Sequence, residues 1–360
     1  MSASVNRVTK LRESLNELQI DALLITNPVN RKYLTGFTGT AGNVLITESR
    51  AVLFTDFRYV TQASEQAAGF ETIEHDSANP LAAVREAMRS AGLSKLGFEQ
   101  ENVSYGAYGR YAAELGGDIT LVPTAGTVER LRRIKDAGEI QLIREAVAVS
   151  DAAFTHILPF LKPGVKETDV SLELETFMRR QGASATSFAT IVASGERSAL
   201  PHGVASGRVL GTNEFVKMDY GALYKGYCSD MTRTVFIGQP TAKHREIWDI
   251  VLEAQLACLA GLKPGMTGKE GDALARDVIA KYGYGDNFGH GTGHSVGMEI
   301  HESPNLNKRE SSVLEPGMVV TVEPGIYLPG FGGVRIEDMV VITETGCDIL
   351  TKSSKEFITL

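Results

Sequence analysis

The segment LKPGVKETDVSLELETFMRRQG, residues 161–182, returns as LKPGMTGKEGDALARDVIAKYG at residues 262–283. Leu161, Lys162, Pro163, Gly164 and Gly182 fall on Leu262, Lys263, Pro264, Gly265 and Gly283, at a constant offset of 101 residues and without a gap. LKPG alone is an ordinary helix-stopping turn. A fixed offset held over 22 residues is a stronger signal, although identity between the copies is low. In each copy a helical pattern precedes LKPG, a second helix follows, and strand patterns come after. The expectation is a duplicated α+β unit whose halves pack about a pseudo-two-fold axis.

Upstream, the pattern changes. VNRVTKLRESLNELQ reads as an amphipathic helix, and DALLIT, NVLIT and AVLFT as short strands bounded by Asn, Gly and Asp. NPLAAVREAMRSAG is a helix closed by glycine, and LGFEQ, YGAYGRYAAEL and DITLVPT continue the order as strand, helix and strand. This predicts an N-terminal α/β domain over 1–125 and a duplicated α+β domain over 126–360. TVERLRRIKDAGEIQLIREAVAVSDAAFTHILPFL reads as one long helical pattern, with Gly138 inside it.

The chain has 360 residues, enough for two domains, with 43% hydrophobic and 22% charged residues. Its net charge of −8 argues against a duplex nucleic-acid binder, which needs a basic footprint. The start lacks the apolar core of a signal peptide, and no run is long enough to span a bilayer. Cys228, Cys258 and Cys347 form no CxxC pair, so they read as buried free thiols in a reducing compartment. A cytoplasmic protein is expected.

Both halves of the duplicated domain carry a hairpin with acids on both arms. In EFVKMDYGALYKGYCSDMTRTVFIG, a turn centred on Tyr224 and Lys225 sets Asp219 opposite Asp230. In VVTVEPGIYLPGFGGVRIEDMVVI, a fold about Gly330 sets Glu323 opposite Glu337. Opposed residues share one sheet face with Cβ atoms about 4.5–5.5 Å apart. Like charges that close repel, so a buried site needs a counter-charge or takes up a proton. Asp and Glu usually face solvent instead, but Val, Met and Phe surround both sites. Lys217 shares the Asp219 face by strand parity. A pair of divalent metals is the natural counter-charge, because hard cations prefer carboxylate oxygens.

GHGTGHSVGMEIHESP, residues 289–304, then supplies nitrogen. Three of the seven histidines lie there: His290, His294 and His301. One imidazole is enough to complete the ligand set, and the glycines allow close approach of the backbone.

At these residues the chain resembles the pita-bread metallopeptidases, the family of methionine aminopeptidase, aminopeptidase P and prolidase. MDYGA, SDMTRT, GHGTGHSVG, HESP, TVEPGIY and VRIED occur in the family's order and near its spacing. The resemblance implies five metal ligands: Asp219, Asp230, His294, Glu323 and Glu337. It implies two divalent metal ions, with Mn²⁺ suiting the carboxylate-rich set and Co²⁺, Zn²⁺ or Fe²⁺ as alternatives. NRKYLTGFTG, TDFRY, SGERSALPHG and HESP are similar to the Xaa-Pro branch, whose N-terminal domain closes the site in a homodimer. His202 and His301 then match its substrate-contacting histidines. Ser295 departs from the glycine frequent after the ligand histidine.

The implied activity is hydrolysis of the bond before proline in a peptide or dipeptide. Glu323 is expected to relay the proton, and His202 or His301 to stabilise the oxyanion. Arg335 is placed to clamp a substrate carboxylate or to steady the acidic cluster. His290 is expected to be structural, and Cys228, set opposite Gly221, a packed thiol. The competing readings are methionine aminopeptidase activity and a non-catalytic peptide-binding module of the same fold.

Overall fold

Apolar residues at helical spacing in the first segment, Val8, Leu11 and Leu15, become one buried face of the helix Ala3–Glu17. The computed structural model describes residues 3–360, and its contacts divide the chain into Met1–Arg132 and Arg133–Leu360.

The first unit is built on a six-stranded mixed sheet. Its order, by residue number, is 71–74, 51–55, 43–47, 22–25, 95–99 and 120–124. The three strands read as DALLIT, NVLIT and AVLFT pair antiparallel in the middle, and parallel strands flank them. Every helix and strand predicted here is present. Two helices were not anticipated, Pro28–Thr35 and Val60–Gln66. The first begins where the Asn27 side chain accepts from the amides of Val29 and Asn30, and ends at Gly36 with φ 78°.

The predicted long helix is two helices, Thr127–Arg132 and Ala137–Ile157. A capping box ends the continuity. The Asp136 side chain accepts from the Glu139 amide at 2.9 Å, and the Glu139 side chain accepts from the Asp136 amide at 3.0 Å. The short helix belongs with the first unit, so the division between units falls after Arg132, later than the 125/126 boundary expected from sequence.

In the second unit the duplication is a structural fact. Gly164 and Gly265, like Gly182 and Gly283, all take left-handed backbone, with φ of 95°, 86°, 99° and 85°. Each LKPG turn leads to a helix, Glu167–Arg180 and Gly268–Lys281. Gly164 N donates to Leu210 O at 3.0 Å, and Gly265 N donates to Leu314 O at 2.9 Å. Glu214–Tyr220 lies between Ile191–Ser194 and Met231–Ile237 in one sheet. Val319–Val322 lies between Gly293–Ser295 and Asp338–Ile342 in the other. All these pairings are antiparallel. Each half has its own core, one around Phe154, Met178 and Met218, the other around Trp248, Phe288 and Val340.

The second hairpin has the predicted register. Val322 opposes Asp338 and Gly325 opposes Arg335, which brackets Glu323 and Glu337 as opposed positions. The first hairpin is shifted by two residues. Tyr224 pairs with Tyr227, so the turn is Lys225-Gly226, both at positive φ (49° and 91°). That is the two-residue turn whose twist matches antiparallel strands. Asp219 consequently opposes Thr232, and Cys228 opposes Leu223, where Asp230 and Gly221 were expected. A shift of two preserves the face, because side chains alternate with period two.

Candidate active site

The acids sit at equivalent places in the two halves. Asp219 is near the end of its strand and Glu323 follows Val322 directly, while Asp230 immediately precedes the strand Met231–Ile237 and Glu337 immediately precedes Asp338–Ile342. One cavity of about 450 Å³ is lined by Asp219, Asp230, His294, Glu323 and Glu337, and also by His202, His290, His301 and Arg335. The candidate metal ligands and substrate contacts named from the sequence thus line one cavity.

Asp230, His294 and Glu337 each offer a ligand atom, all within 4.8 Å of one another. His294 Nε2 lies 3.4 Å from Asp230 Oδ2 and 3.5 Å from Glu323 Oε1. His294 Nδ1 is 3.2 Å from Ser295 O, a contact that keeps the proton on Nδ1 and turns Nε2 toward the acids. Asp219 and Glu337 are buried, and among the described residues Asp219 Oδ1 and Glu337 Oε1 find no hydrogen-bond donor. Buried carboxylate oxygens left bare are costly, and here both belong to one acidic cluster. The residues thus fit a divalent cation pair.

Burial pushes Asp230, Glu323 and Glu337 up. Asp230 rises to about 6 and Glu323 to about 7, and burial with the charge on Asp230 raises Glu337 far above the carboxylate range. Burial opposes charge on His294, but its hydrogen bond to Asp230 and the charge on Glu323 prevail and hold it at about 9.

Arg335 is engaged throughout. It pairs with Asp219, and its Nε donates to Thr232 Oγ1 at 2.9 Å. Its Nη1 donates to Pro201 O at 3.0 Å and to Tyr327 OH at 2.8 Å. Thr232 Oγ1 in turn donates to Glu337 Oε2 at 2.7 Å. His290 Nε2 is 2.7 Å from Tyr327 OH, and burial followed by the charge of Arg335 lowers His290 to about 3, so it stays neutral. Among the described residues the side chains of His202 and His301 make no hydrogen bond, and His301 lies edge-on to His294 with ring centroids 4.4 Å apart. Burial and the charge on His294 push His301 down.

The glycine-rich loop owes its path to close packing. A Cβ on Gly293 would lie 1.9 Å from Thr321 O. Asp272 fixes the same loop, accepting from Thr292 N at 2.9 Å, while Arg276 donates to His290 O at 2.6 Å. The Ser295 hydroxyl donates to Pro304 O at 2.8 Å, which ties the loop to the HESP segment. Cys228 is buried, donates weakly to Met298 O at 3.7 Å, and is pushed up to about 12 by burial, which rules out a nucleophilic thiolate at neutral pH.

The motifs and this constellation match a known family. The model of metallopeptidase family M24 matches residues 141–344, and that of the creatinase/prolidase N-terminal domain matches residues 7–134. The chain belongs to metallopeptidase family M24. It is similar to the Xaa-Pro dipeptidase of Pyrococcus horikoshii, 39% identical over 98% of each chain. Among solved structures it is similar to the Xaa-Pro dipeptidase from Bacillus anthracis, with TM-score 0.97, 53% identity and coverage of 99% of this chain and 100% of that one. It is also similar to the X-Pro aminopeptidase from Thermotoga maritima, with TM-score 0.91, 39% identity and coverage of 97% and 100%. The fold expected from the resemblance, an α/β N-terminal domain followed by the duplicated pita-bread domain, is the fold of this M24 chain.

Sequence reasoning missed the groups that orient the acids. Thr321 Oγ1 accepts from His294 N at 3.1 Å and lies 3.3 Å from Glu323 Oε1. Thr232 links Arg335 to Glu337 across the two halves. Strand parity offered a signal for both, since each lies two residues from a cluster acid. Tyr327 gave none, because its partners come from separate elements.

Proposed function

We propose that this chain is a metal-dependent exopeptidase that hydrolyses the bond between an N-terminal residue and proline. The observation that supports it best is the pair of bare, buried oxygens, Asp219 Oδ1 and Glu337 Oε1, in an acidic cluster that draws on both halves. Asp219, Asp230, His294, Glu323 and Glu337 would hold two divalent metal ions, Mn²⁺ by preference for so oxygen-rich a set, with Co²⁺, Zn²⁺ and Fe²⁺ as competitors. When bound, such a pair supplies Lewis-acid polarisation and lowers the pKa of water.

The chain's own residues supply the rest. Glu323 takes the proton of the attacking water and returns it to the departing proline nitrogen. His202 and His301, whose side chains make no hydrogen bond among the described residues, meet the substrate carbonyl oxygen and stabilise the charge that develops there. Arg335 directs four of its five N–H donors to Asp219, Thr232, Pro201 and Tyr327, which favours a role in steadying the cluster over a clamp on substrate. Phe188, Ile191, Val204 and Ile300 give the cavity an apolar wall suited to a prolyl ring, which needs no amide acceptor.

A dipeptide substrate agrees with the names of the relatives. A homodimer is the proposed assembly. The cytoplasm is the proposed location, in keeping with three unpaired cysteines; among the described residues no helix is long and apolar enough to cross a membrane. Neither methionine aminopeptidase activity nor a non-catalytic binding module is favoured, since full-length relatives carry Xaa-Pro names.

The test is product analysis of Mn²⁺-loaded protein given Ala-Pro and Ala-Pro-Ala together. Cleavage of Ala-Pro alone is the expected result and defines a dipeptidase. Preferential cleavage of Ala-Pro-Ala defines an aminopeptidase, and cleavage of neither refutes the proposal.

A further inference from the structure

His202 lies near the tip of the loop between the strands Ile191–Ser194 and Glu214–Tyr220. Glu167 holds the base of that loop. Its carboxylate accepts from Ser194 N at 2.8 Å and from Ser206 N at 3.1 Å, and it pairs with Arg197. The tip is not held by apolar packing, since Leu200 and Val204 are 50% and 51% exposed.

Lys217 reaches the tip from below. Its side chain is fully buried in the strand Glu214–Tyr220 and makes no ion pair among the described residues. Its Nζ donates to Leu200 O at 2.5 Å and approaches Pro201 O at 3.4 Å, over the Tyr327 ring at 4.9 Å from the centroid. Arg335 donates to the same Pro201 carbonyl. Two basic side chains therefore converge on the peptide oxygen just before His202. Burying a lysine without a carboxylate partner is costly, and an apolar residue would fill this strand position at lower cost. What the lysine adds is a pair of fixed carbonyls.

We propose that Lys217 is a positioning residue that holds His202 toward the cavity through the carbonyls of Leu200 and Pro201. This rests on the reading of His202 as a substrate contact, and the test separates the two. Lys217→Met, His202→Ala and the double variant are compared with the unaltered full chain, Mn²⁺-loaded, for kcat and KM on Ala-Pro. Misplacing a contacting group by about 1 Å costs up to about a hundredfold. The expected result is a loss of tenfold or more in kcat/KM for each single variant and no further loss from Lys217→Met once His202 is gone. Mn²⁺ affinity, read by calorimetry, stays unchanged.

If Lys217→Met has no effect, or costs the same factor in both backgrounds, the inference is overturned while His202 keeps its role. A matching fall in Mn²⁺ affinity also overturns it, by placing the effect at Asp219. Full activity in His202→Ala removes the reading of His202, and the inference with it. Lys217→Gln, which keeps a donor, is carried through the same cycle and guards against a misfolded Lys217→Met; it is expected to lose less. Hydrogen exchange of segment 199–205 in the metal-free protein is expected to quicken in Lys217→Met, and unchanged exchange counts against the proposal.

Discussion

Metal binding at this site must displace protons. In the metal-free chain at pH 7, His294, held at about 9, is charged and Glu323 at about 7 is half protonated, while burial holds Glu337 well above the usual carboxylate range. A ligand must give up its proton to bind, so His294 and Glu323 alone release between about one and two protons per site at pH 7. The folded-state values are raised, so protons are retained as pH falls and compete with the metal more strongly. Each proton released contributes a factor of about ten in affinity per pH unit, or about 1.4 kcal/mol. Lowering pH from 7 to 6 therefore weakens Mn²⁺ binding by at least about fiftyfold. The assay is isothermal titration of metal-free protein with Mn²⁺ in two buffers of different ionisation enthalpy, which counts protons directly. An affinity independent of pH between 6 and 8, with no proton release, would refute both the ligand assignment and the argument from burial.

Glu323→Gln keeps the shape of the site but cannot carry a proton, and a loss of at least about a hundredfold in kcat on Ala-Pro is expected with little change in Tm; survival of turnover would remove Glu323 from the mechanism. Gly293→Ala drives a methyl into Thr321 O, 1.9 Å from the added carbon. It should cost about 1–3 kcal/mol or more and weaken Mn²⁺ binding, read by denaturant unfolding and titration. Asp136→Ala removes the capping box of the helix Ala137–Ile157, with an expected loss of about 1 kcal/mol and a Tm lower by about 2–4 °C. An unchanged Tm would mean that the cap carries no net stability.

The metal-site candidates were legible because their chemistry is local. Alternation in MVVTVEP and VRIED gives the faces of Glu323 and Glu337, and the distance from Gly330 gives their register. The first hairpin was read two residues out because Lys225-Gly226, a turn demanding positive φ twice, was not recognised as its centre. The face survived that error and the partner did not. Arg335 is the opposite case. Its sequence position allowed either a substrate clamp or a brace for the acids, and only the positions of Thr232, Pro201 and Tyr327 show where its hydrogens go.

By itself, then, the sequence determined the duplication, the succession of helices and strands, and which residue types gather on each hairpin. Those depend on period, spacing and turn chemistry, which act over a few residues. Tertiary structure alone decided that two carboxylate oxygens stay bare and that Lys217 and Arg335 meet at one carbonyl. Burial and hydrogen-bond satisfaction depend on atoms brought together from distant parts of the chain, and only the packed fold supplies them.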